Sequence, residues 1–240
     1  MKKLYSILTM LILTMSMNLQ ASDYSYNQIN LSSNKIVKKF INNQNCNQIL
    51  TNNNYFTNCY DYDLKSTIYS YSKLYSSKIN SKNIKKRPRF YDDLKLPKKY
   101  RTKYSDYTHT KIDRGHLITA NDASWDWSKK SQKATYVMSN IVPQYPNTNR
   151  KSYLKVEKYS RQITNKLNEL EIFQKINFIN YPKRIGRNKV AVPESFSIML
   201  FNTKENFERC FNVPNDNKVY KLKEMEINCK YMLYSKLLPL

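Results

Sequence analysis

The clearest periodicity in the chain runs over residues 148–170. Val156, Tyr159, Ile163, Leu167 and Leu170 recur at spacings of three and four, one apolar stripe of a helix. Asn149, Tyr153, Glu157 and Arg161 stand four apart on a different stripe, so Asn149, Glu157 and Arg161 can face one space. Elsewhere the apolar residues come in short runs. Residues 64–74, with Ile68, Tyr69 and Tyr71, predict a strand, as do 134–139, 176–179, 190–192 and 196–201. Gly186 marks a turn between the 176–179 and 190–192 strands, and 222–228 predicts a short helix. Residues 23–60 are rich in Asn and Ser and read as mostly irregular, with a short helix at 36–41. Pro88 and Pro97 make much of 78–105 loop. Strands on both sides of one long helix, with no repeat and no linker, predict one α+β domain over residues 23–240.

Residues 1–22 change the picture of where the chain works. Lys2 and Lys3 precede an apolar run over 4–17, and Leu19-Gln20-Ala21 offers a cleavage point, the pattern of a secretory signal peptide. The run falls short of the roughly 20 residues a membrane-spanning helix needs. The expectation is an exported protein, periplasmic or secreted, with no stable membrane association after cleavage. Cys46, Cys59, Cys210 and Cys229 then suit two disulfides, and the local pairings Cys46–Cys59 and Cys210–Cys229 close the shortest loops.

Charge narrows the partner. Lys and Arg number 41 against 18 acids, a net +23, of which cleavage of the leader removes two lysines and no acid. A bias towards Lys and Asn would not explain so few acids. The excess points to a polyanion, nucleic acid first and an anionic membrane or cell-wall polymer second.

The candidate chemistry centres on Asp113-Arg114-Gly115-His116-Leu117, which holds one of two histidines and one of two glycines in the chain. His116 can be a neutral base near physiological pH, whereas His109 lies in a polar Tyr/Thr stretch and reads as a plain packed or surface residue. Breaking a phosphodiester needs a base for the attacking water and charge neutralisation on the phosphoryl oxygens. Asn149 offers an amide oxygen to a hard cation such as Mg²⁺, and Glu157 can accept hydrogen bonds from the water around it. Arg114, with Arg87 or Arg89 from the basic run at 85–89, can clamp phosphate. Asp113 reads as structural. Singly, each has a plainer explanation: Asn149 as a helix-start residue, Glu157 as a solvated partner of Arg161, Asn140 as a turn residue. Together they are better explained by one site.

DRGHL at 113–117, SNIVPQ at 139–144, Asn149 and VEKYSR at 156–161 resemble the DNA/RNA non-specific endonuclease family. That family lies within the ββα-metal (His-Me finger) nucleases and includes endonuclease G. The resemblance is strong over about 84–165, returns at 190–196, and fades at 23–60 and near the C-terminus. It implies a central antiparallel sheet flanked by helices, with a ββα active-site element. It also implies His116 as general base, Asn149 as direct metal ligand and Glu157 as holder of metal-bound water. Arg114 becomes a phosphate contact, Asn140 an active-site asparagine, and Arg161 a residue near the leaving group. The upstream arginine of the family falls on Arg87 or Arg89, with Arg87 preferred. The implied reaction is Mg²⁺-dependent (Mn²⁺ as substitute) hydrolysis of DNA and RNA to 5′-phosphates. Where the family usually carries a glycine after the strand that follows the helix, this chain has Asn180-Tyr181-Pro182. The alternatives are a non-catalytic nucleic-acid-binding protein of the cell envelope, or a toxin-type nuclease.

Overall fold

The computed structural model describes residues 46–52, 55–79, 86–121 and 129–233. The expected leader and the helix at 36–41 lie outside them. Eleven strands are described: β1 (Gln48–Asn52), β2 (Phe56–Asp61), β3 (Ser66–Tyr75), β4 (Asp113–His116), β5 (Ile141–Gln144), β6 (Glu169–Asn177), β7 (Arg184–Ile185), β8 (Val190–Ala191), β9 (Ser195–Asn202), β10 (Phe207–Pro214) and β11 (Glu226–Ile227). The helices are α1 (Lys129–Ala134), α2 (Leu154–Leu167), α3 (Leu222–Met225) and α4 (Cys229–Leu233). Seven strands form one antiparallel sheet in the order β1-β2-β3-β6-β9-β10-β11, while β4-β5 and β7-β8 are separate ribbons. The fold is α+β, as the sequence predicts.

The sheet is apolar on both faces at its centre. Leu170, Ile172 and Ile176 of β6 and Phe196, Ile198 and Leu200 of β9 meet Val156 of α2. The alternate residues Phe173, Met199 and Phe201 turn the other way and pack with Tyr69, Tyr71 and the cysteines. Strands buried on both faces read as continuous apolar runs, which is why 196–201 was legible. Both local disulfides are present, Cys46–Cys59 and Cys210–Cys229.

Several boundaries differ from expectation. The stretch expected to be irregular up to residue 60 holds the β1-β2 hairpin. Its polar letters hide buried bonds: Asn58 is fully buried, and its Nδ2 donates to the Ser139 carbonyl at 3.2 Å. Residues 134–139 are not a strand. They form the end of α1 and a 3-10 turn, Met138–Asn140, and the strand starts one residue later at Ile141. The long helix opens with a π turn, Thr148–Tyr153, and stops at Leu167 because Asn168 takes a left-handed φ of 67°. Leu170 keeps the apolar spacing because it enters the same core from β6. Among the described residues no helix is long and apolar enough to cross a membrane.

Peptide mapping without reduction should recover Cys46 linked to Cys59 and Cys210 linked to Cys229. A Cys46–Cys210 peptide would overturn both pairings.

Candidate active site

The motif residues sit on a ββα element. β4 and β5 pair antiparallel with Gly115 opposite Val142 and His116 opposite Ile141, and the π turn leads into α2. A two-stranded ribbon of this length is marginal alone, so its supports matter. Asn140 supplies the first. Its carbonyl accepts from the Leu117 N–H (3.0 Å), its Oδ1 accepts from the Ile118 N–H (3.1 Å), and its Nδ2 donates to the carbonyls of Ile118 and Thr135 (2.8 and 2.9 Å). Gln174 supplies the second: its Nε2 donates to the Leu117 carbonyl at 2.9 Å, and its Oε1 accepts from the Tyr153 hydroxyl. Both side chains lock the residues that follow His116. Sequence reasoning missed Gln174, and it placed Asn140 in the active site. In the structure every polar atom of the fully buried Asn140 side chain is bound to main chain, so it faces the supporting layer and not the open groove.

Gly115 is required by close approach. A Cβ there would lie 2.2 Å from Cδ and 2.4 Å from Oε1 of Gln144. Gln144 is fully buried, and neither Oε1 nor Nε2 has a protein partner. The glycine of DRGH and the glutamine of NIVPQ thus fit one another.

The open feature beside this element is a groove of about 920 Å³. Arg87, Arg89, Arg114 and Arg150 line it, with Asp113 the one acid among the described lining residues. The Arg114 guanidinium stacks on Tyr104, 3.6 Å from the ring centre, and donates through Nε and Nη2 to the Tyr104 carbonyl at 3.3 and 3.1 Å. Asp113 accepts a two-point ion pair from Arg150 (2.8 and 2.7 Å) and a bond from Asn149 Nδ2 (2.9 Å). Partial burial works to raise the Asp113 pKa, but the bonds from Arg150 and Asn149 outweigh it and hold the carboxyl below its usual range. Arg150 is the functional candidate that sequence reasoning passed over. In a chain this basic its letter carries no signal, and only its contact with Asp113 singles it out.

A carboxylate only accepts hydrogen bonds, so the amide end of Asn149 turned to Asp113 must be its NH₂. Its Oδ1 is left for a cation. Among the described residues no three His, Cys, Asp or Glu side chains gather as a metal cage. The Asn149 amide oxygen is a donor suited to a hard ion that keeps most of its water.

His116 stands behind the groove wall. Its ring lies 5.4 Å from Phe90, a lining residue, and edge-on to Tyr136 at 5.0 Å. Arg87 covers the same two rings, 5.3 and 5.6 Å from their centres, whereas Arg89 makes no such contact among the described ones. The His116 Nε2 is shut off from solvent without a partner. Burial first, and then the positive charge of Arg87, push its pKa from the usual 6.5 down to about 3. The imidazole is neutral at physiological pH.

The third expected pair sits farther along. In an α-helix, residues eight apart lie about 80° out of phase and about 12 Å apart along the axis. The wider π turn winds less per residue and swings Asn149 back towards the side of Glu157. The axial separation remains. Asn149 lines the groove, while Glu157 lines a small separate cavity with Leu117, Ile118 and Ser160. Arg161 is buried and is not among the groove residues. The described residues thus bring Arg87, Arg89, Arg114 and Asn149 to one groove, with His116 behind it, and do not bring Glu157 or Arg161 there.

A ribbon carrying a histidine thus leads into a helix whose opening π turn carries Asn149. The chain belongs to the DNA/RNA non-specific endonuclease family, whose sequence profile matches residues 32–234. It is 29% identical over 152 residues to human mitochondrial endonuclease G, covering 59% of this chain and 50% of that protein. It is 27% identical over 125 residues to the mitochondrial nuclease of Saccharomyces cerevisiae, covering 51% and 37%. It is 30% identical over 115 residues to a nuclease of Nostoc sp., covering 47% and 40%. The chain spans about half the length, or less, of these curated relatives. Among solved structures, a complex of EndoG with EndoGI matches with a TM-score of 0.64 at 18% identity, over 74% of this chain and 79% of that one. At that identity the likeness is one of fold.

Gly115→Ala should destabilise the protein by about 1–3 kcal/mol in urea unfolding, and adding Gln144→Ala should return part of the loss. Equal losses in the single and double variants would uncouple the two residues. The His116 shift has a sign. Between pH 6.5 and about 3 the unfolded chain binds a proton that the folded one refuses. Its contribution to stability is complete above 6.5 and falls as the pH drops through that window. Asp113, whose pKa is lowered, also loses stabilisation as acid protonates it. The fall in Tm from pH 7 to pH 4.5 should therefore be smaller in His116→Gln than in wild type.

Proposed function

We propose that the protein is an exported, Mg²⁺-dependent endonuclease that hydrolyses phosphodiester bonds of DNA and RNA with little sequence preference. The observation that carries this reading is the orientation of Asn149 by Asp113 at the edge of a groove lined by four arginines. Neutral His116 on the adjoining strand supports it. Export is supported by the leader pattern and by the two disulfides, which persist in oxidising compartments.

His116 takes the proton of the attacking water. Arg114, fixed on Tyr104, and Arg87 hold the scissile phosphate through charge-assisted bonds, and Arg89 and Arg150 extend the grip along the strand. Asn149 Oδ1 would hold a divalent ion, Mg²⁺ or Mn²⁺, which supplies charge stabilisation of the phosphoryl group and the departing 3′ oxygen. Glu157 and Arg161 lie outside the groove and take no part in this scheme. Asn140 positions the strand that carries the base. Products carry 5′-phosphates. Affinity comes mainly from backbone phosphates, so it falls steeply with salt.

One observation favours a silent nucleic-acid-binding protein instead: the His116 Nε2 is closed off from solvent. Incubating plasmid with the mature protein and Mg²⁺, with and without EDTA, separates the two. Wild type should degrade the plasmid only without EDTA. His116→Ala should lose at least about 10²-fold in rate, and Asn149→Ala should lose its Mg²⁺ response. Near-normal turnover in the His116 variant would take the imidazole out of the mechanism, and no EDTA-sensitive cleavage by wild type would favour the binder.

A further inference from the structure

The loop that departs from the family pattern, residues 180–189, is not used by the mechanism. Its sequence holds Lys183, Arg184, Arg187 and Lys189 and no acid. Tyr181, just before β7, is 93% exposed, the most exposed large apolar side chain among the described residues. An aromatic ring left so far in water is not a packing element.

The β7-β8 turn within this segment is pinned to Asp106. Asn188 donates through its N–H and Nδ2 to Asp106 at 3.0 Å, and Gly186, at φ 66°, packs against Asp106 with no room for a Cβ. Arg184 folds back to donate to the carbonyls of Asp63 and Lys189 at 2.7 and 3.0 Å. Lys183, two residues after the tyrosine, and Arg187, in the β7-β8 turn, are both exposed. The loop also flanks the candidate site. Lys183 Nζ lies 5.7 Å from the centre of the Tyr145 ring, and the Tyr145 carbonyl accepts the N–H of Asn149.

We infer that residues 180–189 form a second nucleic-acid contact, in which Tyr181 stacks on an unpaired base while Lys183 and Arg187 meet the flanking phosphates. The chemistry is that of single-strand binding, an aromatic platform among cations. A base inside a duplex is already stacked, so the ring gains little there. One ring and Ile179 offer too little apolar area to anchor a membrane surface. The contact would favour single strands, or frayed duplex ends, entering the groove past Asn149. It rests on the nuclease reading only for the identity of the polyanion.

Fluorescence anisotropy with a labelled single-stranded oligonucleotide and the matching duplex, in EDTA to prevent cleavage, tests it on the mature protein. Tyr181→Ala should weaken single-strand binding at least about fivefold and change duplex binding far less, and Tyr181→Phe should match wild type. Lys183→Gln with Arg187→Gln should weaken both ligands and reduce the salt slope by about two contacts. Unchanged single-strand affinity in Tyr181→Ala, or equal losses on both ligands, would overturn the stacking role. So would loss of binding to phosphatidylglycerol vesicles with oligonucleotide binding intact. The wild-type Mg²⁺ plasmid assay is read separately, so failure of the nuclease reading leaves the anisotropy result interpretable.

Discussion

The carboxylate of Asp113 is the constraint on which the candidate site depends. It belongs to the first strand of the ribbon, and the two side chains it receives, Asn149 and Arg150, belong to the π turn. A single acid thus ties strand to helix across the groove. It is not simply a surface ion pair, whose worth would be small. Its own exposure is modest, it accepts three bonds, and one of these fixes which end of Asn149 faces outward. Without that acceptor the amide would be free to turn, and the oxygen would have no reason to point at a cation.

The rest of the element is organised to keep this geometry. Asn140 and Gln174 grip the main chain just past His116 from two directions, one from the turn before β5 and one from the central sheet. The ribbon thereby inherits the rigidity of a sheet buried on both faces. Gly115 lets the Gln144 side chain lie against the neighbouring strand where a Cβ would collide with it.

Much of this was legible as letters and little of it as geometry. The motif, the helix stripe of Val156, the basic excess and the local disulfides followed from spacing and composition. The β1-β2 hairpin did not, because Asn58 is buried through a bond to the Ser139 carbonyl and carries no apolar signal. Asn140 and Asn149 are the same residue type nine positions apart. One spends its amide on main chain and the other leaves an oxygen exposed, a difference set by neighbours that are remote in sequence. Arg150 was hidden by abundance, one cation among 41. Leu170 kept the helical spacing because strand and helix converge on one core, so periodicity ran past the true helix end at Asn168.

The depressed pKa of His116 fits a base whose strength depends on its substrate. Burial alone lowers it and keeps it neutral, but a base so weak takes a proton poorly. The second contribution is the charge of Arg87, which lies over the same rings. Electrostatic coupling is reciprocal: what the arginine does to the imidazole, a phosphate on the arginine would undo. An anion seated at Arg87 would offset that repulsion and raise the basicity of His116, while the larger effect of burial stays. The arginines of the groove then do more than attract a polyanion. Arg87 is the one of them whose charge acts on the imidazole, lowering its basicity after burial does, and a bound phosphate would work against that smaller effect.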